Sequence, residues 1–357
     1  MNEKRIKQRD VIKQQFTPML RESSLFQKYK SSYRDAFFDF ARHATILSGA
    51  YCFLWYFRNS YVNILTVPLI GLLHIKTFII FHDCGHNAYT PSSRINYALG
   101  TLLGVLLVTP FSWNYLHHTH HLTNGNTENK HNFPYNQLIF HTVAQYKQMS
   151  RFERLVQKVL VSPFLLVTIW THLYFIFGQR LLFLAFITVN QESVHIPSFP
   201  FIMCEQLVNN VGVAIMSYLL YQYSLLWLSV AIICVWTSIA TFTFINQHTF
   251  NPPYVVANDK WNIKDSGLLG SSLIQVPLLL KYFFGGIEYH HIHHMNSKIP
   301  GYNLQKYHEE VVGDPKWQIS VFDDVTVLSI KECFHNLQLK LYDENQNRYV
   351  TFSDALK

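Results

Sequence analysis

Ten histidines fall in three short runs: His82-Asp83-Cys84-Gly85-His86, His117-His118-Thr119-His120-His121 and His290-His291-Ile292-His293-His294. Neutral imidazole is a common ligand for transition metals, and few other roles ask for so many imidazoles so close together. On a helix, positions i and i+4 share a face, so His82 and His86 are suited to joint binding of an ion. The other two runs both read HxxHH. Positions i, i+3 and i+4 would supply His117, His120 and His121 from one, and His290, His293 and His294 from the other. His118 and His291 fall off that face and are set aside as extras. Eight imidazoles exceed what one ion takes, so the spacing predicts two ions. Nitrogen-rich sites suit Zn, Cu, Fe or Ni, and spacing does not choose among them. Asp83 and Glu288 each have two readings, either orienting an imidazole from behind or simply being solvated. Lone histidines such as His43, His74 and His172 are read as interfacial or satisfied core residues.

These runs need elements to hold them. Of 357 residues, 49% are hydrophobic and only 14% charged, against about 25% charged in soluble domains. The apolar residues are concentrated in stretches, which places much of the surface in lipid. Spans are expected at about 44–57, 61–81, 207–221 and 225–245, forming two helical hairpins. The stretch 98–111 is too short to cross and should lie at the interface or dip in and return. The stretch 155–189 is interrupted by Pro163, His172, Gln179 and Arg180, and reads as interfacial helix. Residues 1–43 read as a polar, partly helical arm, and 44–353 as one membrane domain. The expected fold is all-α, with four transmembrane helices and a helical cytosolic cap over the two-metal site.

Parity tests this topology. For the three runs to meet, no net crossing can occur between residues 86 and 117, and an even number must occur between 121 and 290. The reading above gives zero and two. The first 43 residues carry ten Lys or Arg, while the two hairpin links carry one between them. The positive-inside rule therefore puts arm and histidines in the cytoplasm. That would be at the endoplasmic reticulum in a eukaryote and at the plasma membrane in a bacterium. The same rule, or an acidic protein partner, explains the net charge of +7 better than nucleic acid does. The N-terminus lacks the pattern of a cleaved signal peptide. The five cysteines show no zinc or disulfide spacing.

HDCGH followed by HxxHH and a distal HxxHH resembles the three-box signature of membrane fatty acid desaturases. Trp113 four residues before His117, and His121-Leu-Thr-Asn-Gly-Asn126 after it, are similar to the Δ12/ω3 branch of acyl-lipid desaturases. So are Gly270-Ser-Ser272, the segment Tyr289–Pro300 and Tyr302-Asn-Leu304. The likeness runs weakly from about residue 35 to 353. It implies two iron ions, O2 as co-substrate, and a fatty acyl chain drawn into a hydrophobic tunnel between the hairpins. It also implies the eight box ligands, with His248 as a further ligand ahead of the third box. Hydroxylation or epoxidation by the same site, and a non-catalytic metal- or lipid-binding protein, are the alternatives. The chain shows no haem-binding HPGG segment, no ferredoxin-type cysteines and no nucleotide-binding glycine loop. A separate electron donor, cytochrome b5 or ferredoxin, is therefore implied.

Overall fold

The computed structural model describes residues 24–127, 141–180, 197–313 and 324–357. Residues 1–23 of the expected arm lie outside the described residues. The chain opens with α1 (Ser24–Tyr29) and α2 (Tyr33–Tyr56). α2 begins eleven residues before the apolar stretch expected at 44–57, because Ser32 caps it by accepting from the Asp35 N–H. Its inner face is marked by Ala36, Asp39, His43, Leu47 and Leu54, a helical stripe that a search for apolar runs does not register.

α3 (Asn63–Gly85) is apolar on nearly every side and continues past the expected end at 81, through most of the first histidine run. α2 runs antiparallel beside it. The Tyr89 hydroxyl beyond α3 donates to the Ala36 carbonyl, His43 meets Thr77 at 2.9 Å, and Tyr51 meets His74 at 2.8 Å. The three lone histidines set aside above thus have local partners where they fall here: Thr77 and Tyr282 for His43, Tyr51 for His74, and Thr237 for His172. Within the hairpin, Lys76 pairs with Asp39 at 3.1 Å, both buried, and the Tyr89 hydroxyl also donates to Asp39. An ionisable group this deep is tolerable because it is paired.

α4 (Ser93–Leu106) is short, as expected, and leads through Thr109-Pro110 into α5 (Trp113–Thr123), the second histidine helix. α6 (Val143–Gln148) and α7 (Arg151–Leu160) precede α8 (Pro163–Gly178), and α7 and α8 meet at a 41° bend. α9 (Phe199–Gln222) and α10 (Leu226–His248) form the second hairpin, turning at Tyr223–Leu225. Among the described residues three helices, α3, α9 and α10, are long and apolar enough to cross a membrane, and α7 with α8 would add a fourth only as one broken span. α2 falls outside that group because Arg34, Asp35, Asp39 and Arg42 crowd its first half, although its 24 residues span about 36 Å. α10 ends beside α5, and α9 turns into α10 at the opposite end, so α9 begins at the end of the bundle where the second histidine run lies.

The core is aromatic. Phe78 packs against Phe81, Trp113, Phe175 and Trp236, tying α3 to α5, α8 and α10. α9, in contrast, leaves Leu207, Ile215 and Tyr218 outward and exposed, a surface suited to acyl chains rather than water.

After α10 the chain builds a cap from α11 (Ile263–Leu269), α12 (Lys281–Phe284), α13 (His290–Met295), α14 (Gly301–Gly313) and α15 (Ile330–Asn336). The cap is not wholly helical. β2 (Leu273–Ile274) pairs in parallel with β3 (Val327–Leu328). β1 (His141–Thr142) pairs in parallel with β4 (Leu341–Asp343), which pairs antiparallel with β5 (Arg348–Val350). Two- and three-residue strands are too short to leave a period-two signature in the sequence. They fasten the C-terminal segment to residues 141–142 and 273–274. α1 closes the same face: the Tyr29 carbonyl accepts from Asn303, and the Tyr29 ring joins Ile292, Leu304 and Tyr307 in one core cluster.

Candidate metal centre

Among the described residues nine histidines converge in two groups. His82, His86, His117, His121 and His293 form one, and His120, His248, His290 and His294 form the other. Within each group one ring nitrogen from each histidine lies within 4.8 Å of those offered by the others. Nitrogen ligands about 2.1 Å from a shared ion stand at most about twice that distance apart, so each group is close to the size that an ion requires. The shortest separations are 2.8 Å from His82 Nε2 to His117 Nε2, and 3.0 Å from His248 Nε2 to both His120 Nε2 and His290 Nε2. The groups adjoin: the His121 and His294 rings stack with centroids 4.0 Å apart.

The elements distribute these side chains in a way that shared-face reasoning did not foresee. Adjacent residues on a helix point about 100° apart. His117 and His121 on α5 therefore reach one group, while His120 turns to the other. α13 does the reverse, sending His290 and His294 to the second group and His293 to the first. Each HxxHH segment thus bridges both groups. The last turn of α3 and its cap residue contribute His82 and His86, and the final residue of α10 is His248.

Several contacts fix the rings. His82 Nδ1 lies 3.1 Å from Asp83 Oδ1, while Asp83 Oδ2 accepts from the Gly301 N–H at 2.6 Å. His248 Nδ1 donates to the Gly270 carbonyl at 2.9 Å, which leaves the Nε2 lone pair free. Gly270-Ser-Ser272 is a clamp on the end of α10, since the Ser272 hydroxyl and N–H also bond the Asn246 and Gln247 carbonyls. Trp113 stacks on His117 at 4.9 Å and 11°. Glu288 is buried with its carboxyl against the backbone of Gly286 and towards Lys281 and Lys76, and among the described residues it makes no hydrogen bond to an imidazole. His291, also buried, turns away to His308 at 3.1 Å. His118 is exposed.

Burial holds His117, His120 and His121 on α5, and His290, His293 and His294 on α13, well below the usual histidine range, and neighbouring imidazoles push in the same direction. Both effects disfavour the charged imidazolium, and the neutral ring is the form that can ligate a metal. Both ring nitrogens of His86, and Nε2 of His294, are buried without a hydrogen-bond partner. Such atoms are costly unless something binds them. The donor set and the orphaned nitrogens fit a pair of metal ions.

Two supports were not apparent from the sequence. Lys298 Nζ donates to the His86 carbonyl at 2.7 Å, closing the end of α3. Gly85 gives α5 room, since a Cβ there would stand 2.7 Å from the Asn114 Cβ, three residues before His117. Gly85→Ala should therefore displace α5 and lower bound metal at least about tenfold, a loss of the size seen when a supporting contact is removed. Metal analysis of the purified variant, at equal protein and with a monodisperse elution profile, checks this.

The family model for fatty acid desaturases matches residues 59–323. A fatty acid desaturase of Bacillus subtilis (strain 168) is 30% identical over 297 residues, covering 81% of this chain and 76% of the relative. An sn-1 oleoyl-lipid 12-desaturase of Picosynechococcus is 25% identical over 299 residues, covering 81% and 79%. An sn-1 acyl-lipid omega-3 desaturase (ferredoxin) of Nostoc sp. (strain 36) is 25% identical over 258 residues, covering 68% and 65%. The matched region takes in all three histidine runs and the helices that carry them, and the chain belongs to the fatty acid desaturase family.

Proposed function

We propose that the protein is an O2-dependent desaturase that places a double bond in a fatty acyl chain linked to a membrane lipid or to CoA. The observation that carries this reading is the pair of adjoining, buried, all-histidine groups at the end of two apolar hairpins. The nine histidines are the metal ligands, five to one ion and four to the other, and the ions are iron. When bound, the iron pair supplies the O2 activation that an unactivated C–H bond demands and that no acid or base side chain provides.

The protein's own part is to position and to exclude. Asp83 holds the proton at His82 Nδ1 and turns Nε2 inward; Gly270 does the same for His248. The aromatic wall of Phe78, Phe81, Trp113 and Trp236 keeps water from the reacting carbon and leaves an apolar surface for the acyl chain. α2, α3, α9 and α10 are the four crossings, with the arm and centre cytoplasmic, supported by ten Lys or Arg in the first 43 residues. Residues 44–353 act as one domain. Electrons come from a separate carrier. Three relatives have ferredoxin in their names, which favours that donor over cytochrome b5.

Expression in yeast with location of new double bonds by mass spectrometry tests the reading. A diene or triene absent from the host is expected. A hydroxy acid without extra unsaturation would sink the desaturase reading while leaving the metal centre intact.

A further inference from the structure

His118 is the member of the second histidine run that joins neither metal group, yet it is not idle. Its ring stacks on that of His86, with centroids 5.1 Å apart and planes 27° from parallel. His86 is buried in the five-histidine group, whereas His118 is exposed. The surface is therefore connected to that group through one ring-on-ring contact. The same patch is thin elsewhere. His121 is the one ligand of the nine that is only half-buried, and Leu122, four residues after His118, is exposed. All four members of the other group are buried.

The patch also carries positive charge. Lys298 is exposed and donates to the carbonyl of His86, the residue whose ring His118 stacks upon. An exposed apolar side chain one helical turn from His118, with an exposed ammonium at the base of the His118–His86 stack, suits the surface around the redox centre of an acidic carrier. The net charge of +7 favours approach of the same kind of partner.

We propose that the face formed by His118, Leu122 and Lys298 is where an acidic one-electron carrier of the ferredoxin class docks, and that His118 is the gateway through which its electron reaches the five-histidine group. This rests on the desaturase reading only in needing a reducible metal pair. Each reduced carrier loses one electron, and one ferric ion of the centre becomes ferrous. Two such deliveries, with O2 and two protons, balance the removal of two hydrogens from the acyl chain and yield two waters.

The test uses the full-length, iron-loaded protein in nanodiscs and a reduced plant-type ferredoxin, mixed without O2 while ferredoxin oxidation is followed by absorbance. His118→Ala should slow oxidation about tenfold, and Lys298→Glu should do so at low salt with the difference closing at high salt. Iron content, and single-turnover desaturation after reduction by dithionite, should stay at the wild-type level in His118→Ala. A His118→Ala rate within about twofold of wild type at equal iron content overturns the proposal. So does loss of iron or of dithionite-driven turnover, because His118 would then belong to the centre itself. A wild-type protein that accepts electrons but forms no double bond would instead refute the desaturase reading and leave the gateway standing.

Discussion

His120→Ala and His293→Ala should each abolish the new double bond in yeast, with activity falling more than about a hundredfold. That exceeds the 10–100-fold typical of losing a contact behind a ligand. The two residues are chosen because they cross over. His120 leaves α5 for the four-histidine group, and His293 leaves α13 for the five-histidine group. Each substitution therefore strikes one group while the helix that carries it keeps two ligands in the other. Iron per chain, measured on purified protein, should fall by about half in each variant if the groups load independently, and further if they do not. Full iron with no product in either variant would show that the histidine serves the chemistry in some way other than holding metal.

Asp83→Asn should lower metal affinity about 10–100-fold with little change in expression. The aspartate joins two features of the centre: one oxygen faces His82 Nδ1, and the other accepts the Gly301 N–H at the start of α14. Asparagine keeps one acceptor and turns an N–H2 towards the other donor. Either the His82 tautomer or the α14 contact is lost. Chelator competition on the purified protein gives the affinity, and Asp83→Glu should not restore it, because the longer side chain cannot meet both partners. Unchanged affinity in Asp83→Asn would mean that the imidazole is held by packing alone.

Much of this centre was legible as spacing. The i and i+4 pairs placed the box histidines on helix faces, and parity required the bent pair α7–α8 to make no net crossing. What spacing could not convey was the division between the two groups. Treating i, i+3 and i+4 as one face is adequate for a broad contact with a neighbouring helix, but two histidine groups side by side separate His120 from His121. The supports at Gly270, Gly301 and Lys298 were equally hidden, since they act through backbone groups brought close only by the fold. α2 was read short because apolar runs mark contact with lipid, whereas its first turns are held by a serine cap and one buried stripe.

α3 and α10 pass without a break from the apolar layer into the ligand set, one ending at Gly85 just before His86 and the other at His248 itself. A helix rises about 1.5 Å per residue, while a functional constellation tolerates displacements of only about 0.5 Å. A helix adjusts to the thickness of its bilayer by tilting, at a cost of fractions of a kcal/mol per Å. With no proline or break between Leu69 and Gly85 of α3, or along α10, that tilt is transmitted to the imidazoles. The bilayer is accordingly a mechanical component of the centre, and the stiffness and depth of the surrounding lipid help to set its geometry.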